Sequence, residues 1–453
     1  MNFNTIIKIL EKIYRFTEKF NLEFNFDVDS FLDNNYPEIS SELIKYIENK
    51  RIIFSSTNGK KTSLHLLNEI LKANNSDFVT NLTKSAKTEQ ILSSIIKKFD
   101  FLTENQNANN FLTTTSSDEE LIKNFNLLNF DYLVLGNLFT SQVEFSNLYE
   151  KKKKIQDAII LNSKLDLVIN ADEPMFFEID EIKNDTIIGK KRNKFYFGID
   201  NLEIFDNRNN LIHKTDIIKC PKCGCNLQYK KRYYSHLGDY FCECGFRRPK
   251  LNMSANVRVF SDYSFAEVLY NDKKMVFKLP IGGMYNVYNA LSAIAVATLL
   301  KIDRKTISLA FENYENLKAR DEILTYKGKK IKIKTIKNST SLSEAVLEAN
   351  NTTNKKLVFV FDSNFVDGID TSWIWEANLN SLNNFENRIY VTGKRFDDMA
   401  LRLKYAGVNP SLISMDNQIK NSINSCYWAL EKNEEMLILS VPSMIDEVYK
   451  FLK

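Results

Sequence analysis

Between Ile52 and Ile169, short runs of unbroken apolar residues alternate with stretches of helical period, and this restricts the fold more than any other feature. Ile52 opens the series, Phe78-Val79-Thr80 reads as a short strand, and Thr88 to Phe99 as a helix. Asp131 to Leu135 and Leu165 to Ile169 read as buried strands, with a helix over Ser146 to Leu161 between them. Strands apolar on both faces and separated by helices belong to a parallel sheet covered on two sides. Such sheets bind ligands at the carboxyl ends of their strands. The turn Ser56-Thr57-Asn58-Gly59-Lys60 lies at one such end, before an amphipathic helix, where backbone N–H groups and a lysine can cradle phosphates. It departs from G-x-x-x-x-G-K-[ST] in lacking the first glycine and in placing Lys61 after Lys60. A polar turn with a solvated lysine pair is the competing reading.

Residues 1 to 47 read as helix, a polar connection over 25–38, and helix. After the first sheet pattern come strands at Val257–Phe260, Ser264–Tyr270 and Met275–Leu279, an apolar helix over Asn286–Leu300 and a shorter one near Lys305–Tyr314. A second α/β pattern follows Arg320, with strands at Ile331–Ile336, Lys356–Phe361, Arg388–Val391 and Met436–Val441 and helices at Leu342–Ala349 and Phe396–Tyr405. A chain of 453 residues has room for two or three such units. With 61 basic against 57 acidic side chains, the net charge of +4 does not point to nucleic acid. The Lys151–Lys154 run is expected on a solvated face. The amphipathic start is unlike a cleavable signal, and the longest apolar run, Ala290–Leu300, is far short of the roughly 20 residues a spanning helix needs. A cytoplasmic protein is expected.

Five of the six cysteines fall between Cys220 and Cys244, which argues for a metal site rather than a disulfide framework. Cys220 and Cys223 at C-x-x-C spacing can present two sulfurs to one tetrahedral ion, and a second knuckle from Cys242 and Cys244 closes the site. The second pair is one residue short of the usual spacing, so Cys225 and His236 stand as substitute ligands. Four thiolates leave no open position, so the expected zinc is structural. Elsewhere, His65 and Cys426 read as buried packing residues, and Trp373 and Trp375 as packing rather than substrate contacts.

Taken in order, these pieces resemble the Mur ligase family, and within it the MurT type. STNGKKTS (56–63) is similar to the family's GTNGKTTT loop, LGNLFTSQVEF (135–145) to TNxFRDQLDRY, and VINADEP (168–174) to LNADDP. GGMYNVYNALSAIAVA (282–297) is similar to GxYNxYNALAA, and KARDE (318–322) to FGRxE. The Cys-rich ribbon, VDGIDTSWIWEA (366–377) and VTGKRFDDMALRLKYAG (391–407) resemble the MurT type in particular.

The resemblance implies an α/β architecture. Residues 1–47 would form an N-terminal helical segment, 48–317 a central parallel-sheet P-loop domain with the zinc ribbon inserted at 216–250, and 318–453 a smaller α/β domain. It implies a ligase subunit that uses ATP and Mg²⁺ to amidate the D-glutamate α-carboxylate of the lipid II stem peptide. Ammonia would come from a GatD-type glutaminase in a heterodimer, acting on lipid II or a related muropeptide at the inner membrane face. Thr57, Asn58, Gly59, Lys60, Lys61, Thr62, Asn289 and Arg320 would contact the nucleotide. Asp370, then Asp367, then Asp362, would complete the glutaminase triad. The chain departs from the family at Lys61, at Ser116 (with Asp118 or Glu119 as stand-ins for a glutamate) and at Thr140 and Ser141. The alternative is therefore a degenerate ligase that binds the glutaminase without normal ATP turnover.

Overall fold

The computed structural model describes residues 3–19, 28–45, 47–82, 91–98, 108–114, 118–140, 148–181, 192–204, 217–260, 263–314, 321–350, 355–363, 371–432 and 434–452. Helices α1 (Phe3–Lys19), α2 (Val28–Asn35) and α3 (Pro37–Lys45) lead into β1 (Ile47–Ser55) and α4 (Lys60–Ala73). There follow β2 (Phe78–Thr80), α5 (Ile91–Lys98), β3 (Ala108–Thr114), α6 (Asp118–Leu127), β4 (Tyr132–Leu135), α7 (Leu148–Leu161), β5 (Asp166–Asn170) and β6 (Lys194–Ile204). A hairpin of β7 (Gln228–Tyr234) and β8 (Leu237–Phe241) precedes β9 (Met253–Val259), β10 (Ser264–Tyr270), β11 (Lys273–Leu279), α8 (Met284–Leu299) and α9 (Arg304–Glu312).

These strands form one nine-stranded sheet in the order β11-β10-β9-β6-β5-β4-β1-β3-β2, with the β7–β8 hairpin apart. Pairing is parallel from β2 through to β9 and antiparallel at β10 and β11. The apolar strands have two buried faces because successive side chains point to opposite sides. Ile52, Phe54, Val134 and Val168 pack with Leu64, Leu67, Leu291 and Ile294 of α4 and α8. Ile53, Leu133, Leu167 and Ile169 pack with Ile7, Leu92, Leu121 and Ile155 on the other face.

The remaining elements are β12 (Asp321–Tyr326), β13 (Lys329–Thr335), α10 (Ser339–Asn350), β14 (Lys355–Val360), α11 (Trp373–Glu376), β15 (Ile389–Thr392), α12 (Phe396–Tyr405), β16 (Ile413–Met415), α13 (Ile419–Ala429), β17 (Glu435–Ser440) and α14 (Ile445–Leu452). Their strands make a second sheet in the order β12-β13-β17-β14-β15-β16. It is parallel except for the β12–β13 hairpin. Among the described residues, no helix is long and apolar enough to cross a membrane.

Two expectations need correction. The polar connection over 25–38 contains α2, because Val28 and Leu32, one helical turn apart, are both fully buried. The Lys151–Lys154 run is not uniformly solvated: Lys151 is only 1% exposed and donates to the Phe139 carbonyl at 3.4 Å. On α7 it shares a face with Ile155, Ala158 and Ile159, so helical phase carries it inward. The strands β3 and β6 were not expected. β3 carries few apolar residues, yet it lies between β1 and β2, where backbone pairing with both neighbours holds it.

Candidate nucleotide site and cysteine ribbon

β1 ends at Ser55 and α4 begins at Lys60, so the turn 56–59 stands at the carboxyl end of a central strand. Gly59 caps the helix with φ +83°, a conformation that costs an L side chain strain. A Cβ there would lie 1.8 Å from Asn289 Oδ1, because the buried Asn289 amide from α8 fills the space. That amide donates to Asn286 Oδ1 at 3.2 Å. Lys60, Lys61 and Thr62 form the first turn of α4, all partly exposed.

The turn is laced to the segment after β4. Thr57 N donates to Asn137 O at 3.0 Å and Asn58 N to Asn137 Oδ1 at 2.9 Å, while Asn137 Nδ2 returns a bond to Asn58 O at 2.9 Å. Asn137 N donates to Ser56 Oγ at 3.1 Å, and Phe139 N donates to Thr57 Oγ1 at 3.0 Å. Gly136 lets the two segments approach, since a Cβ there would meet Ser56 Oγ at 2.1 Å. From the second sheet, Asn338 Nδ2 donates to Asn58 Oδ1 at 3.3 Å. Its own Oδ1 accepts from Ser341 N at 2.9 Å, capping α10. The N-terminal ends of α4 and α10 thus meet at the turn, where orphan N–H groups and aligned peptide dipoles favour an anion.

Beneath lies a buried polar block that the sequence reading did not single out. Asn170 Nδ2 donates to Gly136 O at 2.8 Å. Asp172 accepts from Ile199 N, Tyr288 Oη and Arg248 Nη1 at 2.8–2.9 Å. Burial pushes the Asp172 carboxyl up despite the opposing pull of the Arg248 guanidinium. Glu173 Oε2 accepts from Leu138 N and is paired with His236 Nε2, both at 2.9 Å, and Glu173 Oε1 accepts from Met175 N at 3.1 Å. The only signal for this block in the sequence was its place in VINADEP, directly after a buried strand.

The sulfurs of Cys220, Cys223, Cys242 and Cys244 all lie within 4.8 Å of one another. Gly224 (φ +76°) and Gly245 (φ +88°) make the knuckle turns. The short Cys242-x-Cys244 spacing closes on itself through Gly245 N to Cys242 O at 3.0 Å and Cys242 N to Phe246 O at 2.7 Å. The Phe246 amide draws the Cys244 thiol down to about 7, whereas burial pushes Cys220 up to about 12. Four soft sulfurs at this separation fit a tetrahedral zinc ion. Cys225 is exposed and outside the group. His236 is fully buried against Glu173, so the expectation of a substitute histidine ligand is corrected: a carboxylate claims its Nε2.

Of the other expected residues, Arg320, Asp367, Asp370, Ser116 and Ser141 lie outside the described residues, and Asp118 and Glu119 start α6. Asp362 is buried after β14; its Oδ1 accepts from Ser363 N at 2.7 Å, and Lys394 Nζ stands 4.0 Å from its Oδ2. Thr140 is exposed. His65 and Cys426 are buried, as is Trp373, whereas Trp375 is 47% exposed beside Tyr405 and Arg402.

Residues 335–443 match the MurT ligase C-terminal family. The chain is 28% identical over 369 residues to the lipid II isoglutaminyl synthase (glutamine-hydrolyzing) subunit MurT of Staphylococcus aureus (strain COL), covering 80% of this chain and 78% of the relative. The chain is MurT-like. A subunit of the same description from Streptococcus pneumoniae (strain ATCC BAA-255 / R6) is 26% identical over 412 residues, covering 90% of the MurT-like chain and 85% of the relative. The fold is of Mur ligase type: a pseudomurein peptide ligase type C from Methanothermus fervidus superposes with a TM-score of 0.64 at 20% identity, covering 95% of this chain and 85% of that one.

Proposed function

We propose that this MurT-like chain is the ATP-using subunit of a glutamine-dependent ligase that amidates the D-glutamate α-carboxylate of the lipid II stem peptide. The observation that carries the reading is the turn 56–60 at the carboxyl end of β1, with Asn289 seated on Gly59 and Asn338 of the second sheet on Asn58. Phosphoryl transfer needs little covalent help from protein; positioning and charge stabilisation do most of the work. Bound MgATP supplies the phosphoryl group that activates the substrate carboxylate for attack by ammonia. In this assignment Lys60 stabilises charge on the phosphates, with Lys61, Thr62 and the backbone of Thr57–Gly59 around them and Arg320 completing the cradle. The proposed division of the chain is at about residues 47 and 317; the change from helices to the first sheet supports the one and the start of the second sheet at β12 supports the other. A GatD-type glutaminase is the proposed partner, with Asp370, Asp367 or Asp362 orienting its histidine. Cys220, Cys223, Cys242 and Cys244 hold a structural zinc ion in this reading.

The test is Mg²⁺-dependent ATP turnover by the purified chain with its glutaminase, lipid II and glutamine. Lys60→Ala is expected to abolish amidation and spare glutamine hydrolysis, and Asp370→Asn to lower glutamine hydrolysis. No ATP consumption alongside stimulated glutaminase activity would replace the ligase with a scaffold.

A further inference from the structure

The β7–β8 hairpin of the ribbon does more than cover the sheet. Its tip enters the polar block beneath the phosphate turn. His236, fully buried, meets Glu173 Oε2 at 2.9 Å through Nε2, and its ring lies 4.8 Å from that of Phe139. Tyr234 packs edge-on against the same Phe139 ring at 5.9 Å. The hairpin is pinned from behind by Gly238 N donating to Asp172 O at 2.9 Å, by Tyr229 Oη donating to His236 O at 2.9 Å, and by Arg248 on Asp172 at 2.8 Å.

The Glu173 and Phe139 contacts each continue into the 137–139 segment that is laced to the turn. Glu173 Oε2 also accepts from Leu138 N, so one oxygen holds both the hairpin and the 137–139 segment. Phe139, whose ring is clamped by the hairpin, bonds through its amide to Thr57 Oγ1, and its carbonyl accepts from Thr57 Oγ1 at 3.3 Å. Asn137 zips the same segment to Thr57 and Asn58. Through Phe139 a single residue therefore stands between His236 and Thr57, and closely packed interiors pass on such displacements rather than absorb them.

We propose that His236 is a positioning residue for the phosphate turn: through Glu173 and Phe139, the cysteine ribbon sets the placement of Thr57 and Asn58, and nucleotide affinity depends on the ribbon. This rests on the assignment of the turn to ATP.

The experiment measures ATP binding by calorimetry, on the full chain with its glutaminase, well below the first melting transition, with zinc content determined on the same samples. His236→Ala is expected to weaken ATP binding on the order of tenfold while one zinc per chain is retained. His236→Gln, whose amide can still donate to Glu173, should recover most of that loss. Phe139→Leu should weaken binding similarly, and the double variant no more than the stronger single one, as for residues acting through one path. His236→Ala binding ATP within twofold of the parent overturns the proposal. If His236→Ala does not fold, Phe139→Leu decides by the same criterion. A parent chain that binds no ATP overturns the ligase reading instead, and is distinguishable because no variant comparison is then needed.

Discussion

Gly59→Ala separates two costs that usually come together. Gly59 has φ +83°, and placing an L residue in that region costs roughly 1–2 kcal/mol. The stiffer unfolded chain returns about 0.4–1 kcal/mol of this. The second cost is steric: the new Cβ would stand 1.8 Å from Asn289 Oδ1, 2.5 Å from its Cγ and 2.6 Å from its Nδ2. Turning the amide over does not help, so the side chain must leave its seat and give up its bond to Asn286. A buried polar group left unpaired costs about 1–3 kcal/mol. Gly328 is the internal control, with φ +80° in the β12–β13 turn and nothing within 4 Å of its added Cβ. By urea unfolding, Gly328→Ala should cost about 1 kcal/mol and Gly59→Ala about 2–4 kcal/mol. Adding Asn289→Ala to Gly59→Ala should cost less than the sum of the two single changes, because the obstacle is gone. Equal losses at Gly59 and Gly328, or strict additivity with Asn289→Ala, would refute the claim that Asn289 defines the turn.

Cys223→Ser is expected to lose zinc by elemental analysis and Cys225→Ser to keep it; the reverse would move the fourth ligand to Cys225. His65, packed 5.3 Å from Tyr314, is held down to about 4 by burial, against 6.5 for a free imidazole. Between those values the unfolded chain binds the extra proton, so stability falls as pH drops from about 6.5 towards 4, by up to about 3 kcal/mol. His65→Phe should flatten that part of the pH–stability curve, and an unchanged slope would show that His65 does not set it. Arg248→Met leaves Asp172 buried without its guanidinium and is expected to cost about 3–5 kcal/mol in urea unfolding. Asp172→Asn in the same chain should return part of it, and a neutral Arg248→Met would mean that the pair is not structural.

The central turn was legible because its signals are local: an apolar run, a small polar turn and an amphipathic helix occupy adjacent positions. The cysteine group was legible for the same reason, and its short second pair closes through backbone bonds around Gly245. The helix Phe396–Tyr405 was read to the residue, since its periodic apolar positions sit between clear breaks. Lys151 was misread because composition says nothing about helical phase, and β3 was missed because a strand between two neighbours is held by pairing more than by its own apolar residues.

By itself, the sequence determined the alternation that makes a two-faced parallel sheet, the place of a polar turn at the carboxyl end of a central strand and the sulfurs able to share one ion. Those depend on spacings of a few residues. Tertiary structure alone decided what stands around the turn. Asn137, Asn289 and Asn338 reach it from elements 79 to 280 positions away, and His236 meets Glu173 across 63. Asparagine and histidine are common polar residues with no local pattern to mark such a role. Only burial, where each polar group must find a partner, selects those that build the site.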